Sequence, residues 1–421
     1  MRFAVIGAGI SGISLARKLF DNGLDVDIFE GKNKIGGLIS CSIEDGNLFH
    51  RVGGHVFNSK DKVVSDWFWS YFNKFEEFTQ SKRNAKILLE NKIVGYPIEN
   101  FIFQLNKDTA TGIIEELINL SKVNFKIDQA KNFGEFLLKS FGKTLYELYF
   151  EPYNKKIWNT PLESIDLDWL DGKLPMPNFT EIIINNILRL QENDMVHSNF
   201  FYPIKGGSQF IIDRLAQGLN IKLSTPVDKL VFKDKKLIIN EKDEYDCVIY
   251  TADVRGLGER LHGLANESFE FSRLKSLRSN GTSNVLCYTD TTDISWLYLP
   301  NPNLKAHRII YTGNFSSENN KYGERRSCTV EFSGFVPEAI IKKEIKKLPG
   351  NLEHLAFNYE PNSYVIQDNE TRKMISALKS SLKSYNIYLV GRFAEWEYYN
   401  MDKAIEASLK LYDEILDRYT L

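Results

Sequence analysis

Apolar residues run unbroken from Phe3 to Ile6, which predicts a short strand buried on both faces. A glycine-rich turn, Gly7-Ala8-Gly9-Ile10-Ser11-Gly12, follows at once, and Ile13, Ala16, Leu19 and Phe20 then recur at helical spacing until Asn22-Gly23 stops them. Leu24 to Phe29 predicts a second strand, closed by Glu30. Matching signals reappear far along the chain. Tyr202-Pro203 leads through Gly206-Gly207 into an apolar helix, and a strand ends at Ser224-Thr225-Pro226-Val227. Lys229 to Asn240 reads as a hairpin turning at Lys233-Asp234-Lys235, and Cys247 to Thr251 reads as a buried strand. Ile387 to Val390 predicts one more strand, running into Gly391-Arg392 and then a helix with Ile405, Leu409, Tyr412 and Leu416 on one face.

The first glycine run carries chemistry. A pyrophosphate lying on a strand-turn-helix unit needs glycine for the tight turn (Gly7), for close backbone approach (Gly9) and for helix against strand packing (Gly12). The helix N-terminus, with Ser11 in its first turn, supplies amide donors and positive potential. Glu30 lies 18 residues after Gly12, near the spacing at which a carboxylate meets adenosine ribose hydroxyls. Gly36-Gly37-Leu38 then follows a short basic link. That second glycine pair resembles the extension of the glutathione-reductase-like FAD family, which makes FAD the expected cofactor and adds Val227, Gly391, Arg392 and Met401 to its site. Gly256-Leu257-Gly258 is not followed by a second fingerprint, so a separate NAD(P)H domain is not expected.

The expected class is therefore α/β: a Rossmann-like FAD-binding domain with an inserted helical region and an antiparallel β-sheet. The FAD-binding domain comprises 1–60, 196–261 and 371–421. Residues 61–195 form a mainly helical substrate domain, with a stripe at Ile113, Leu117 and Leu120 and a hairpin around Asn91-Lys92. Residues 262–370, with β-prone runs at Asn284 to Tyr288, Arg308 to Tyr311 and Cys328 to Phe332, form an antiparallel-sheet substrate domain. A chain of 421 residues with 43% hydrophobic and 26% charged residues can fill such cores. Its 53 basic against 55 acidic residues give no bulk attraction to nucleic acid or an anionic membrane. Four dispersed cysteines without metal spacing suit a reducing cytoplasm, and no apolar run is long enough to span a bilayer.

Further motifs, in order, resemble those of the UDP-galactopyranose mutase family, in its eukaryotic rather than its usual bacterial form. They are Gly53-Gly54-His55-Val56-Phe57, Pro152-Tyr153-Asn154-Lys155-Lys156-Ile157-Trp158, Trp296-Leu297-Tyr298-Leu299-Pro300, His307-Arg308, and Gly391-Arg392 through Met401. The resemblance implies an isomerase in which reduced FAD attacks the anomeric carbon of a nucleotide-diphosphate sugar through flavin N5 and the ring recloses as a furanose. An external reductant such as NAD(P)H is implied as well. Arg308 is then the diphosphate cation, Tyr298 and Tyr398 its hydroxyl donors, and Gly54 the residue against the flavin because it lacks Cβ. His55 belongs to a loop over the flavin, Trp158 to the sugar wall, and Tyr153 and Asn154 to the nucleotide. Arg392 and Met401 are expected to contact the FAD pyrophosphate and the flavin pyrimidine edge.

The departures from that family cluster around the nucleotide. Lys173 stands where a second diphosphate arginine is expected, and offers a point charge instead of a fork. Phe315 replaces a phosphate tyrosine. In Tyr96-Pro97-Ile98-Glu99-Asn100, Glu99 replaces an amide that reads uracil. UDP-galactopyranose is the default substrate, with another nucleotide sugar as the first alternative. An FAD-dependent amine-oxidase or desaturase-like oxidoreductase is the second, and a catalytically dead FAD-fold binding protein the third. No motif encodes the oligomeric state.

Overall fold

The computed structural model describes residues 1–123, 125–167, 170, 178–189, 199–264, 269–321 and 325–419. Five parallel strands form its first sheet, in the order Ile387–Leu389, Cys247–Tyr250, Arg2–Ile6, Asp25–Phe29 and Asn220–Lys222. The central strand shows why it reads as apolar throughout. Phe3 and Val5 join Ile13, Leu19 and Ile405 on one face, whereas Ala4 and Ile6 join Leu230, Leu237 and Trp396 on the other. The helices Ile10–Asp21, Gly207–Leu215 and Met401–Tyr419 cover the first face. A smaller sheet containing the Leu230–Lys233 and Lys236–Ile239 hairpin covers the second. The strand before Val227 spans Asn220–Lys222, so Val227 itself lies in the loop beyond it.

Seven strands form the other large sheet, ordered Glu353–Ile366, Arg278–Thr289, Arg326–Ser333, Ala306–Ile310, Trp296–Tyr298, Ala85–Leu89 and Lys92–Gly95. Every neighbour is antiparallel except Trp296–Tyr298 with Ala85–Leu89. The hairpin read around Asn91-Lys92 thus exists but extends this sheet, so the segment read as mainly helical and the segment read as antiparallel share one platform. Against that platform pack the helices Lys107–Leu120, Phe133–Phe141 and Glu151–Trp158, with Ile113, Leu117, Phe136 and Leu137 in their common core. Leu120, expected in that stripe, is only partly buried.

Everything in the first sheet converges on the turn after Arg2–Ile6. A Cβ on Gly12 would overlap the Gly7 carbonyl oxygen, so the Ile10–Asp21 helix can start this close to the strand only with glycine there. Gly12→Ala is expected to lower stability by about 1 to 3 kcal/mol through overpacking. Urea unfolding checks this, and an unchanged midpoint would mean that the turn can open freely.

Candidate functional site

A cavity of about 460 Å³ runs over the C-terminal end of the parallel sheet and is lined by Gly7, Gly9, Ser11, Glu30, Gly36, Gly37, Leu38, Val227, Arg392 and Met401. All ten are residues that the sequence assigns to the cofactor. A Cβ built on Gly9 meets no atom within 4 Å, so the turn leaves open space where a ligand must come close. Glu30 is fixed at both oxygens: Oε2 accepts from the Ala8 amide at 2.8 Å and Oε1 from the Lys32 amide at 2.8 Å. The Gly36 amide in turn donates to the Ala8 carbonyl at 2.9 Å, which holds the second glycine pair against the first. Gly12 and Gly391 do not line the cavity. They act from behind it, Gly12 under the turn and Gly391 where a Cβ would lie 2.8 Å from Ser11 Oγ.

A second cavity of about 250 Å³ adjoins the first and shares Leu38, His55, Arg392, Asn400 and Met401 with it. Gly54, Tyr298, Arg308 and Tyr398 are among the residues that line it. Among the described residues its charged lining consists of three guanidiniums, Arg83, Arg308 and Arg392, against two carboxylates, Glu331 and Asp402. That excess of cation suits an anionic ligand. Arg308 and Glu331 face each other across neighbouring strands, the Arg308 Nε donating to Glu331 Oε2 while an Arg308 terminal nitrogen donates to the Tyr364 hydroxyl at 3.1 Å. Burial by itself raises the Glu331 carboxyl, but the Arg308 charge and His307 outweigh it and hold the group well below the usual carboxylate range. Burial opposes the Arg308 charge too, yet Glu331 keeps its pKa raised.

Arg392 donates from Nε to the Tyr399 carbonyl at 3.1 Å and from a terminal nitrogen to the Ser363 carbonyl at 2.8 Å, while its guanidinium lies 4.7 Å from the Tyr398 ring centre. His55 lies at the junction of the cavities. Burial, then the nearby His50 and Arg392 charges, push its imidazole down to about 3, so it is neutral at physiological pH. Its Nε2 is buried and has no hydrogen-bond partner among the described residues. The preceding turn is anchored where the Gly53 amide donates to Asn284 Oδ1 at 2.9 Å.

Several expectations change. The reason for glycine at 54 is protein packing, since a Cβ there would sit 2.7 Å from Ile310 Cγ2 and 3.4 Å from the Phe315 ring. Trp158 does not line the cavity; it packs edge-on behind the stacked Tyr364 and Tyr398 rings, 5.9 and 5.8 Å from their centres. Tyr96 and Tyr153 likewise form a layer behind Tyr298, at 4.8 and 5.3 Å. The Asn154 amide turns back to the Phe150 carbonyl at 2.7 Å instead of reaching outward. Phe315 is buried against Trp296 and Tyr202. Burial pushes the Glu99 carboxyl up to about 7. Lys173 lies outside the described residues.

Sequence reasoning missed Arg83, Glu331 and Tyr364. Arg83 donates to the Tyr298 hydroxyl at 2.5 Å and sits over the Tyr96 ring. Only Glu331 left a trace, as a charge alternating out of phase with the core-facing Cys328, Val330 and Phe332 in a β-prone run. Among the described residues no metal-binding cluster is present and no helix is long and apolar enough to cross a membrane.

Residues 10–329 match the family model described as flavin containing amine oxidoreductase. Over 98% of this chain and 94% of the relative, the sequence is 23% identical to UDP-galactopyranose mutase of Mycoplasma genitalium. It is 29% identical to dTDP-fucopyranose mutase of Escherichia coli, over 37% of this chain and 41% of that protein. Its fold matches a crystal structure of reduced UDP-galactopyranose mutase with a TM-score of 0.89 at 19% identity, covering 99% of this chain and 95% of that one.

Glu331→Gln is expected to destabilise the protein by about 3 to 5 kcal/mol at neutral pH, because it leaves the Arg308 charge buried without its partner. A carboxyl whose folded pKa is depressed contributes fully above its ordinary value of 4.5. The difference between wild type and variant in denaturant unfolding should therefore stay constant from about pH 8 to 5 and shrink progressively below that.

Proposed function

The chain belongs to the flavin containing amine oxidoreductase family, and from that premise we propose that it is an FAD-dependent mutase interconverting the pyranose and furanose forms of a nucleotide-diphosphate sugar. The larger cavity fits the cofactor: an open glycine cradle, a helix N-terminus at Ile10 and a doubly anchored Glu30 are the parts an adenine dinucleotide needs. One observation carries the reading. The cofactor cleft opens, at Leu38, His55, Arg392 and Met401, directly into a cavity with an excess of guanidiniums and three tyrosines, Tyr298, Tyr364 and Tyr398. UDP-galactopyranose is the first substrate to test, given the relatives named above.

The chemistry that FAD supplies when bound in its reduced form is nucleophilic, an electron pair lent to the anomeric carbon and returned on ring closure. The protein's own work is electrostatic. Arg308, held by Glu331, meets the departing diphosphate with a preoriented cation, and Tyr298 and Tyr398 offer it hydroxyl donors. His55, kept neutral, adds no charge where the sugar must pass. Such a site needs no strong general base, and the described lining contains no carboxylate free of a cation except Asp402 at the start of the last helix. An external reductant such as NAD(P)H would restore the active form. The family description favours an oxidoreductase as the second reading, with net electron transfer to oxygen.

Dithionite-reduced protein given UDP-galactopyranose should form the furanose isomer with far less than one reductant consumed per turnover, and the oxidised protein should be nearly inactive. Stoichiometric oxygen or NAD(P)H consumption would instead support the oxidoreductase. Arg308→Ala should retain FAD yet lose about 2 to 5 kcal/mol in kcat/KM, because the diphosphate loses its buried partner. Rates near wild type would place the diphosphate elsewhere.

Glu99 bears on base choice. Protonated, its carboxyl both donates and accepts like the amide it replaces; ionised, it only accepts. With burial raising it to about 7, the affinity of the wild type for UDP should fall as pH rises from 6 to 8.5, by up to about tenfold, whereas Glu99→Gln should show no such change. Titration calorimetry with UDP at the two pH values checks this, and equal pH profiles would remove Glu99 from the base site.

A further inference from the structure

Two consecutive lysines on the Glu151–Trp158 helix have opposite fates. Lys155 points outward and pairs with Glu151 one turn earlier at 2.8 Å. Lys156 points inward, and its Nζ donates to three backbone carbonyls at one hairpin connection: Leu299 at 2.6 Å and Asn301 at 2.8 Å in the turn, and Ala306 at 2.9 Å where the next strand begins. An ammonium has three protons, and all three are used.

That turn joins Trp296–Tyr298 to Ala306–Ile310, the two strands that carry Tyr298 and Arg308. Its other ties lie near its two ends: the Leu299 amide donates to the His307 carbonyl at 2.9 Å with Leu299 buried in the core, and the Lys305 amide donates to Glu344 Oε2 at 3.4 Å. Pro300 and Pro302 bring no amide donor, and the internal bonds within it run from Leu304 N to the Asn301 carbonyl at 3.1 Å and from Asn303 N to Asn301 Oδ1 at 2.9 Å. The other end of the tie is equally firm. In the same helix the Ile157 carbonyl accepts from Asn280 Nδ2 at 2.7 Å, which binds the helix to the Arg278–Thr289 strand, and Tyr153 packs edge-on to Tyr298.

We propose that Lys156 is a positioning residue, a three-point clamp that sets where Tyr298 and Arg308 stand relative to the helix bearing Tyr153 and Trp158. It lines neither cavity and acts only through the hairpin. The role rests on the reading of Tyr298 and Arg308 as diphosphate ligands. Arginine cannot substitute, because a planar fork does not converge on three carbonyls around one nitrogen.

The test uses reduced, FAD-loaded protein carrying Lys156→Met, which keeps the apolar stem and removes the three donors. Amide hydrogen exchange should quicken across residues 296–310 while FAD content and exchange in the parallel sheet stay as in wild type. UDP affinity should fall roughly tenfold, uridine affinity should change less than twofold, and Lys156→Arg should not rescue the UDP loss. In an Arg308→Ala background, Lys156→Met should weaken UDP much less than in wild type, because both changes act on the same contact. Equal losses for UDP and uridine, effects that add in the double variant, or unchanged exchange across 296–310 would each overturn the clamp. If the wild type itself fails to bind UDP, the nucleotide-sugar reading fails, and the exchange measurement still decides whether Lys156 holds the hairpin. Should Lys156→Met not fold, Lys156→Gln, with two donors left, makes the same comparison.

Discussion

The cofactor end of this protein depends on how closely backbone can approach backbone where three distant pieces of chain meet. Ile6 turns into Gly7 beneath Thr251, and a Cβ on Gly7 would collide with the threonine hydroxyl. Thr251 belongs to the second piece, Gly36 bridges to Gly9 within the first, and Gly391 rests on Ser11 from the third. Side chains at these points would push the pieces apart and lift the helix N-terminus away from the cleft. Leu38, Arg392 and Met401 line the cleft beside these contacts.

The neighbouring cavity is built on a different principle. Three arginines in one half-enclosed space repel one another and lose hydration, which is tolerable only with compensation from within the protein. Glu331 offsets Arg308 from a buried strand position, carbonyls of Ser363 and Tyr399 receive Arg392, and the Tyr298 hydroxyl receives Arg83. The guanidiniums are thus preoriented before any ligand arrives, so an anion entering the cavity meets donors that need no rearrangement.

Behind these charges stands an aromatic layer. Tyr96, Tyr153 and Trp158 do not form the cavity surface; they support Tyr298 and Tyr398 at edge and tilted contacts of about 5 to 6 Å. The mixed sheet explains how they reach it, since the Ala85–Gly95 hairpin packs on a strand some two hundred residues later in the chain and the Glu151–Trp158 helix bonds to a strand 123 residues later. Rigid support of this kind is what lets hydroxyls and guanidiniums be aimed, and the Lys156 contacts reach the connection between the strands that carry Tyr298 and Arg308.

The local motifs were legible in the sequence because their geometry is encoded within about thirty residues: strand, glycine turn, helix, second strand and Glu30 require one another by spacing alone. Gly36-Gly37, Tyr298, Arg308 and Tyr398 were reached instead through resemblance to known families. What the sequence could not yield were relations between residues far apart in the chain. Glu331 as the partner of Arg308 depends on strand register, and Arg83 depends on a hairpin joining a distant sheet. The reason for glycine at 54 depends on Ile310, and the inward turn of Lys156, beside an outward Lys155, depends on a loop almost one hundred and fifty residues away. Chain spacing fixes dihedral angles and helix faces, whereas burial, ion pairing and carbonyl coordination arise only once the pieces are packed against one another.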